Sequence, residues 1–120
     1  MQMPLPYCVY ILFSEKDYLL YVGFTANLKR RLESHHAGLT RMTSERRPLR
    51  LIFCEYYPFR TDALSREQYY KSEPGRKAIR YMLSSTLKKL NANKPEFRAE
   101  IIYEETVFLE AEYQQNTPTG

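Results

Sequence analysis

The sequence predicts an α/β fold of the α+β kind, a small central sheet flanked by helices. Strand-like runs of β-branched and aromatic residues occupy positions 7–13 (YCVYILF), 18–22 (YLLYV) and 49–57 (LRLIFCEYY). The first run is apolar on both alternations, as in a strand covered on two faces, and stretches with helical apolar spacing follow the second and third runs. A chain of 120 residues is long enough to close one modest core.

The elements follow in order. Ser14-Glu15-Lys16-Asp17 is a polar turn that joins the first two runs as a hairpin. Gly23 ends the second strand, either as a simple turn or because a side chain there would crowd an approaching backbone or ligand. Asn27 is a good N-cap, Leu28 and Leu32 lie four apart, and Gly38 is a stop, which predicts a helix over 28–37. Residues 40–48 (TRMTSERRP) form a polar, basic loop, and Pro58 ends the third strand. A helix opens at Thr61-Asp62 and runs to about Lys71; Pro74-Gly75 interrupts it before a longer helix to about Leu90. Ile79, Met82, Leu83, Leu87 and Leu90 give that last helix its apolar stripe. Residues 99–113 are ambiguous and open to a strand or two, and residues 114–120 (QQNTPTG) are expected to be disordered. The chain thus divides into a domain over 1–98 and an acidic C-terminal extension over 99–120.

Charge follows the same division. All 18 Lys and Arg lie within residues 1–98, with 9 acids, a formal charge of +9; the remaining 22 residues carry −5. A polyanionic partner suits the basic part. No apolar run approaches the roughly 18 residues that cross a bilayer, and the start lacks the regions of a signal peptide, so a cytoplasmic protein is expected. Cys8 and Cys54 lie inside apolar runs without metal-ligand spacing and are expected to be buried, reduced thiols.

The first helix carries an anomaly. Its inward positions i, i+3, i+4 and i+7 are Leu28, Arg31, Leu32 and His35. Burying a guanidinium without a partner is costly, so Arg31 pairs internally, lines a cleft that receives an anion such as phosphate, or snorkels to water from the stripe's edge. Tyr10 and Tyr21 sit on the hairpin strands that this helix approaches. In the later helix Ala63, Leu64, Glu67 and Lys71 share a face, which makes Glu67 either half of an exposed i, i+4 pair or a lone carboxylate for Mg²⁺.

Cys8-Val9-Tyr10, Tyr21-Val22-Gly23, Arg31 and His35 eight and twelve positions after that glycine, and Glu67 in a later helix together resemble the GIY-YIG nuclease superfamily. The resemblance extends through Arg46-Arg47-Pro48, Ala63-Leu64-Ser65-Arg66-Glu67, Lys71-Ser72 and Gly75-Arg76. It covers residues 6–85 and is closest to the small single-domain bacterial members. It implies a three-stranded antiparallel sheet flanked by helices and a metal-dependent endonuclease site using Mg²⁺ or Mn²⁺. By position, Tyr10 and Tyr21 match the motif tyrosines, Arg31 the catalytic arginine, His35 the histidine or tyrosine of the same helix, and Glu67 the metal-binding glutamate. Cys8 departs from the motif glycine. Phe24 stands where excision-nuclease relatives carry lysine, so a lysine-assisted mechanism does not transfer. His35, with an ordinary pKa near 6.5, then becomes an attractive base or relay beside Tyr10.

Residues 29–80 hold 13 Lys or Arg against 6 acids, with Tyr56, Tyr57, Tyr69 and Tyr70 interleaved. Lys29, Arg30, Arg41, Arg46, Arg47, Lys71 and Arg76 are the expected nucleic-acid contacts. Such a surface grips a backbone and stacks an unpaired base but offers no code for sequence. The expected partner is DNA, with RNA open, and specificity resides in substrate shape, in strand ends or in a protein partner. The competing readings are a noncatalytic nucleic-acid-binding module of the same fold and a protein-interaction domain.

Overall fold

The computed structural model describes residues 4–91 together with the backbone of 100–101. Strands β1 (Tyr7–Ser14) and β2 (Leu19–Thr25) form the expected hairpin, and β3 (Leu49–Tyr57) pairs antiparallel with the other side of β1. The order β3-β1-β2 places the most apolar run in the middle, where both of its faces are covered. A two-residue strand, β4 (Glu100–Ile101), adds parallel to β2 at Leu19 and Leu20. That is the part of the ambiguous tail that falls within the described residues; the expected disorder after residue 113 lies outside them.

Four helices complete the chain: α1 (Leu28–His36), α2 (Arg60–Lys71), α3 (Glu73–Met82) and α4 (Ser84–Asn91). Strand alternation splits the core into two layers. Val9, Ile11, Phe13, Leu20, Val22 and Phe24 face α2, α3 and α4 through Ala63, Tyr70, Ile79 and Leu87. Cys8, Tyr10, Leu12 and Tyr21 face the other way, toward Leu28 and Leu32 of α1 and Met42 of the following loop. The architecture is the α+β fold expected, a three-stranded antiparallel sheet with helices on both faces. Among the described residues no helix is long and apolar enough to cross a membrane.

Four local expectations need correction. Gly23 lies inside β2, which runs on to Thr25 because Phe24 fills the core and stacks on Tyr7 at 6.1 Å between ring centroids. Pro74 starts a helix instead of interrupting one, since the first turn requires no N–H from it; Ser72 caps that helix by accepting from the Gly75 amide at 3.3 Å. The long final helix is two helices, broken at Leu83, whose φ of −107° and ψ of 23° leave helical geometry; Met82 beside the break is exposed. Cys8 is buried as expected, whereas Cys54 is exposed on the edge strand β3.

Candidate active site

The site begins with a glycine. Gly23 pairs with Tyr10 across the hairpin, and a Cβ at position 23 would lie 2.4 Å from Cζ of the Tyr10 ring. Only the missing side chain lets that ring cross β2 and bring its hydroxyl to α1. There Tyr10 Oη lies 3.0 Å from His35 Nε2 and accepts from Arg31 Nε at 3.4 Å.

The helix delivers both partners because its cap fixes its start. Asn27 Oδ1 accepts from the Arg30 amide at 3.1 Å, so Leu28, Arg31, Leu32 and His35 turn toward the sheet together. Gly38, with a φ of +76°, ends the helix in the left-handed region. The chain then returns over the site: His35 Nδ1 lies 2.7 Å from Thr43 Oγ1, and the Tyr21 hydroxyl donates to the Met42 carbonyl at 3.2 Å. Arg46 holds its guanidinium over the Tyr21 ring, 5.4 Å from the centroid, and pairs with Asp17 at 3.5 Å.

The result is a closed, nearly dry constellation in which Tyr10 is 1% and His35 is 3% exposed. A cavity of about 10 Å³, near the space of one water, lies among Tyr10, Tyr21, His35, Met42 and Thr43. Thr40 faces the same cavity, and its buried hydroxyl has no hydrogen-bond partner among the described residues. Burial, then the Arg31 charge, then His36 lower the His35 pKa to about 3, so the ring is neutral at any ordinary pH.

Four of the five expected site residues, Tyr10, Tyr21, Arg31 and His35, therefore meet on one face of the sheet. Glu67 comes from the other helical layer. It shares the inward stripe of α2 with Ala63 and Tyr70, and α2 packs on both β1 and β2, the strands that carry the two tyrosines. Its carboxylate accepts from Lys71 Nζ at 3.0 Å and from Gln68 Nε2 at 3.1 Å. The pair is buried, which rules out the exposed i, i+4 reading and makes the Lys71 charge a neighbour of Glu67. Among the other expected contacts, Lys29 and Arg30 are exposed on α1, Arg41 and Arg47 are exposed on the loop, and Arg76 is half-buried on α3. Thr40, Met42 and Thr43 were not singled out from the sequence. They lie in a loop without periodicity, and their polar groups matter only through where the chain returns.

A model of the GIY-YIG catalytic domain matches residues 6–80. The chain is 38% identical over 81 residues to a UPF0213 protein of Limosilactobacillus reuteri, covering 64% of this chain and 82% of that one. It is 34% identical over 87 residues to a UPF0213 protein of Clostridium perfringens, covering 72% and 92%. The UPF0213 protein YazA of Bacillus subtilis is 34% identical over 68 residues, with 56% and 69% covered. No solved structure matches the chain. The domain match takes in the glycine-bounded tyrosine site, the helix that closes it and Glu67, and on that match this chain belongs to the GIY-YIG catalytic domain family.

Proposed function

We propose that this protein is a metal-dependent endonuclease that hydrolyses phosphodiester bonds in DNA, directed by structure or strand ends rather than by sequence. The observation that carries the reading is the Tyr10 hydroxyl, held between Arg31 Nε and His35 Nε2 in a buried pocket of a family built around catalysis.

The roles follow from proton affinity. A base whose conjugate acid has a pKa near 3 holds a proton poorly at neutral pH, so His35 is not the final acceptor. The neutral ring sits between the Thr43 hydroxyl at Nδ1 and the Tyr10 oxygen at Nε2; in this reading Thr43 is the donor to Nδ1, which leaves the hydrogen on Nε2 to point at the Tyr10 oxygen. With Arg31 Nε–H, that oxygen faces two donors, an arrangement that stabilises a phenolate. As the phenolate, its own proton already released to solvent, Tyr10 takes the proton of the attacking water while the water oxygen bonds to phosphorus and the P–O bond to the leaving oxygen breaks. The leaving oxygen is protonated from solvent, and the guanidinium of Arg31 offsets the charge gathering on the phosphate. Tyr21, tied to Met42, orients the loop side of the pocket.

Glu67 fits a hard cation. It is one buried carboxylate, the number that Mg²⁺ or Mn²⁺ needs when water and substrate phosphate supply the other oxygens, and holding the ion would require it to exchange the Lys71 ammonium for the metal. Among the described residues no group of three or more His, Cys, Asp or Glu is placed to hold a metal, so a closed zinc-type cage is not part of this reading. When bound, the ion supplies positive charge to the phosphate oxygens.

The near-complete burial of Tyr10 and His35 favours a second reading, a noncatalytic nucleic-acid-binding module that kept the pocket as core. Labelled single-stranded, duplex and branched DNA, with matching RNA, incubated with Mg²⁺ or Mn²⁺ and with chelator, separates the two. Metal-dependent cutting that disappears in Tyr10→Phe supports the endonuclease; salt-dependent binding without cutting supports the module.

A further inference from the structure

The sheet face that carries Tyr10 is only partly covered. Helix α1 and Met42 pack over β1 and β2 through Leu28 and Leu32. The edge strand β3 turns Cys54 and Tyr56 to the same face, because Cys54 pairs with Tyr10 and Tyr56 pairs with Cys8. Cys54 is exposed, and Tyr56 is 44% exposed despite its place in a strand. The uncovered part of this face is therefore at Cys54 and Tyr56 of β3, and Tyr56 stands there one diagonal position from Tyr10, about 7–8 Å between Cα atoms, while the Tyr10 ring leans the other way across Gly23.

The other tyrosines are committed elsewhere. Tyr57 and Tyr70 donate their hydroxyls to the Glu55 carboxylate in the opposite layer. Tyr69 lies on α2 beneath the Arg66 guanidinium, 4.9 Å from its centroid, and Tyr81 projects from α3. Among the described residues, Tyr56 is thus the exposed tyrosine on the Tyr10 face. Burial and the neighbouring Cys8 and Cys54 thiols push its hydroxyl pKa up, consistent with a phenol whose polar end folds back along the strands instead of standing out in solvent.

Building on the endonuclease reading, we infer that Tyr56 is a stacking platform for one unpaired nucleobase of a strand whose backbone crosses the Tyr10 face of the sheet. The occupant is set by charge and shape. Residues 29–80 carry a formal +7, which selects a polyanion, and an aromatic residue 44% exposed offers a π surface that any base can stack on. Bases inside a duplex already have both faces stacked, so the site selects frayed ends, flaps, gaps or single strands. This gives a physical source for structure-directed cutting.

The test measures binding in chelator by fluorescence anisotropy, so that it does not depend on cleavage. Four ligands are compared at low salt: a labelled single strand, the same strand with abasic residues, its blunt duplex, and a duplex with a single-stranded flap. Wild type should prefer the strand and flap. Tyr56→Ala should lose about tenfold on both and nothing on the duplex, and Tyr56→Phe should bind as wild type. The abasic strand should bind wild type as weakly as the intact strand binds Tyr56→Ala. Equal affinity of Tyr56→Ala and wild type for the strand, or a loss in Tyr56→Phe as large as in Tyr56→Ala, overturns the platform while leaving the endonuclease reading intact. Absence of salt-dependent binding to every ligand overturns both.

Discussion

The Tyr10 hydroxyl and the His35 ring meet at 3.0 Å although 25 positions separate them, and Thr43 holds the far side of that ring at 2.7 Å. Strand, helix and loop each contribute one group to the chain. Thr43→Val should leave a buried ring nitrogen without its partner, destabilising the fold by about 1–3 kcal/mol. Cleavage should fall by more than this accounts for, because the tautomer is no longer set, while Thr43→Ser retains both. Normal cleavage in a folded Thr43→Val protein would remove the loop from the mechanism.

The buried neutral state of His35 links stability to pH. Its folded pKa, about 3, lies below the ordinary 6.5, so between these values the unfolded chain binds a proton that the folded chain refuses. The stabilisation is complete above pH 6.5 and is lost as pH falls toward 3. Chemical denaturation at about pH 4.5 and about pH 7.5 should show wild type less stable in acid by an amount that His35→Gln reduces. Identical slopes in the two proteins would place the acid sensitivity elsewhere.

Gly23→Ala tests the crossing of Tyr10. The new Cβ would stand 2.4 Å from a ring atom that cannot swing away, because its hydroxyl is held by Arg31 and His35. A loss of about 1–3 kcal/mol is expected, together with loss of cleavage. In a Tyr10→Ala background, where the ring is gone, the same Gly23→Ala substitution should cost less than it does in wild type.

The buried pair of Glu67 and Lys71 allows a structural role to be separated from a chemical one. Glu67→Gln leaves a buried ammonium without its counter-charge and should destabilise the fold by about 3–5 kcal/mol. The double variant Glu67→Gln with Lys71→Met should recover much of that loss. Metal-dependent cleavage should be absent from both; its return in the double variant would show that Glu67 serves only as the partner of Lys71.

Lys29 is exposed on α1 at the rim of the site face. Lys29→Ala should weaken DNA binding uniformly across sequences and lower the salt slope by about 1. An unchanged slope would take α1 out of the contact surface.

Much of this architecture is legible in the sequence because its signals are local. The β-branched run of β1, the limits of β3, the Asn27 cap and the Gly38 stop each depend on neighbours a few residues away. The inward stripe of α1 likewise placed Arg31 and His35 beside the apolar face, with a snorkelling Arg31 still open. The break at Leu83 escaped notice because the apolar stripe continues in phase across it. The exposure of Cys54 escaped because an apolar run does not say that its strand lies at the edge.

The sequence by itself determined the elements, the family motifs and the basic surface, all of which rest on residue type and short-range spacing. Tertiary structure alone decided that Tyr10 crosses Gly23 to reach His35, that Met42 and Thr43 close the pocket, that the Glu67–Lys71 pair is buried, and that Tyr56 is left facing solvent. The reason is physical: desolvation, and with it the neutral state of His35, depends on strand register and on where a loop returns, which no local pattern of residues encodes.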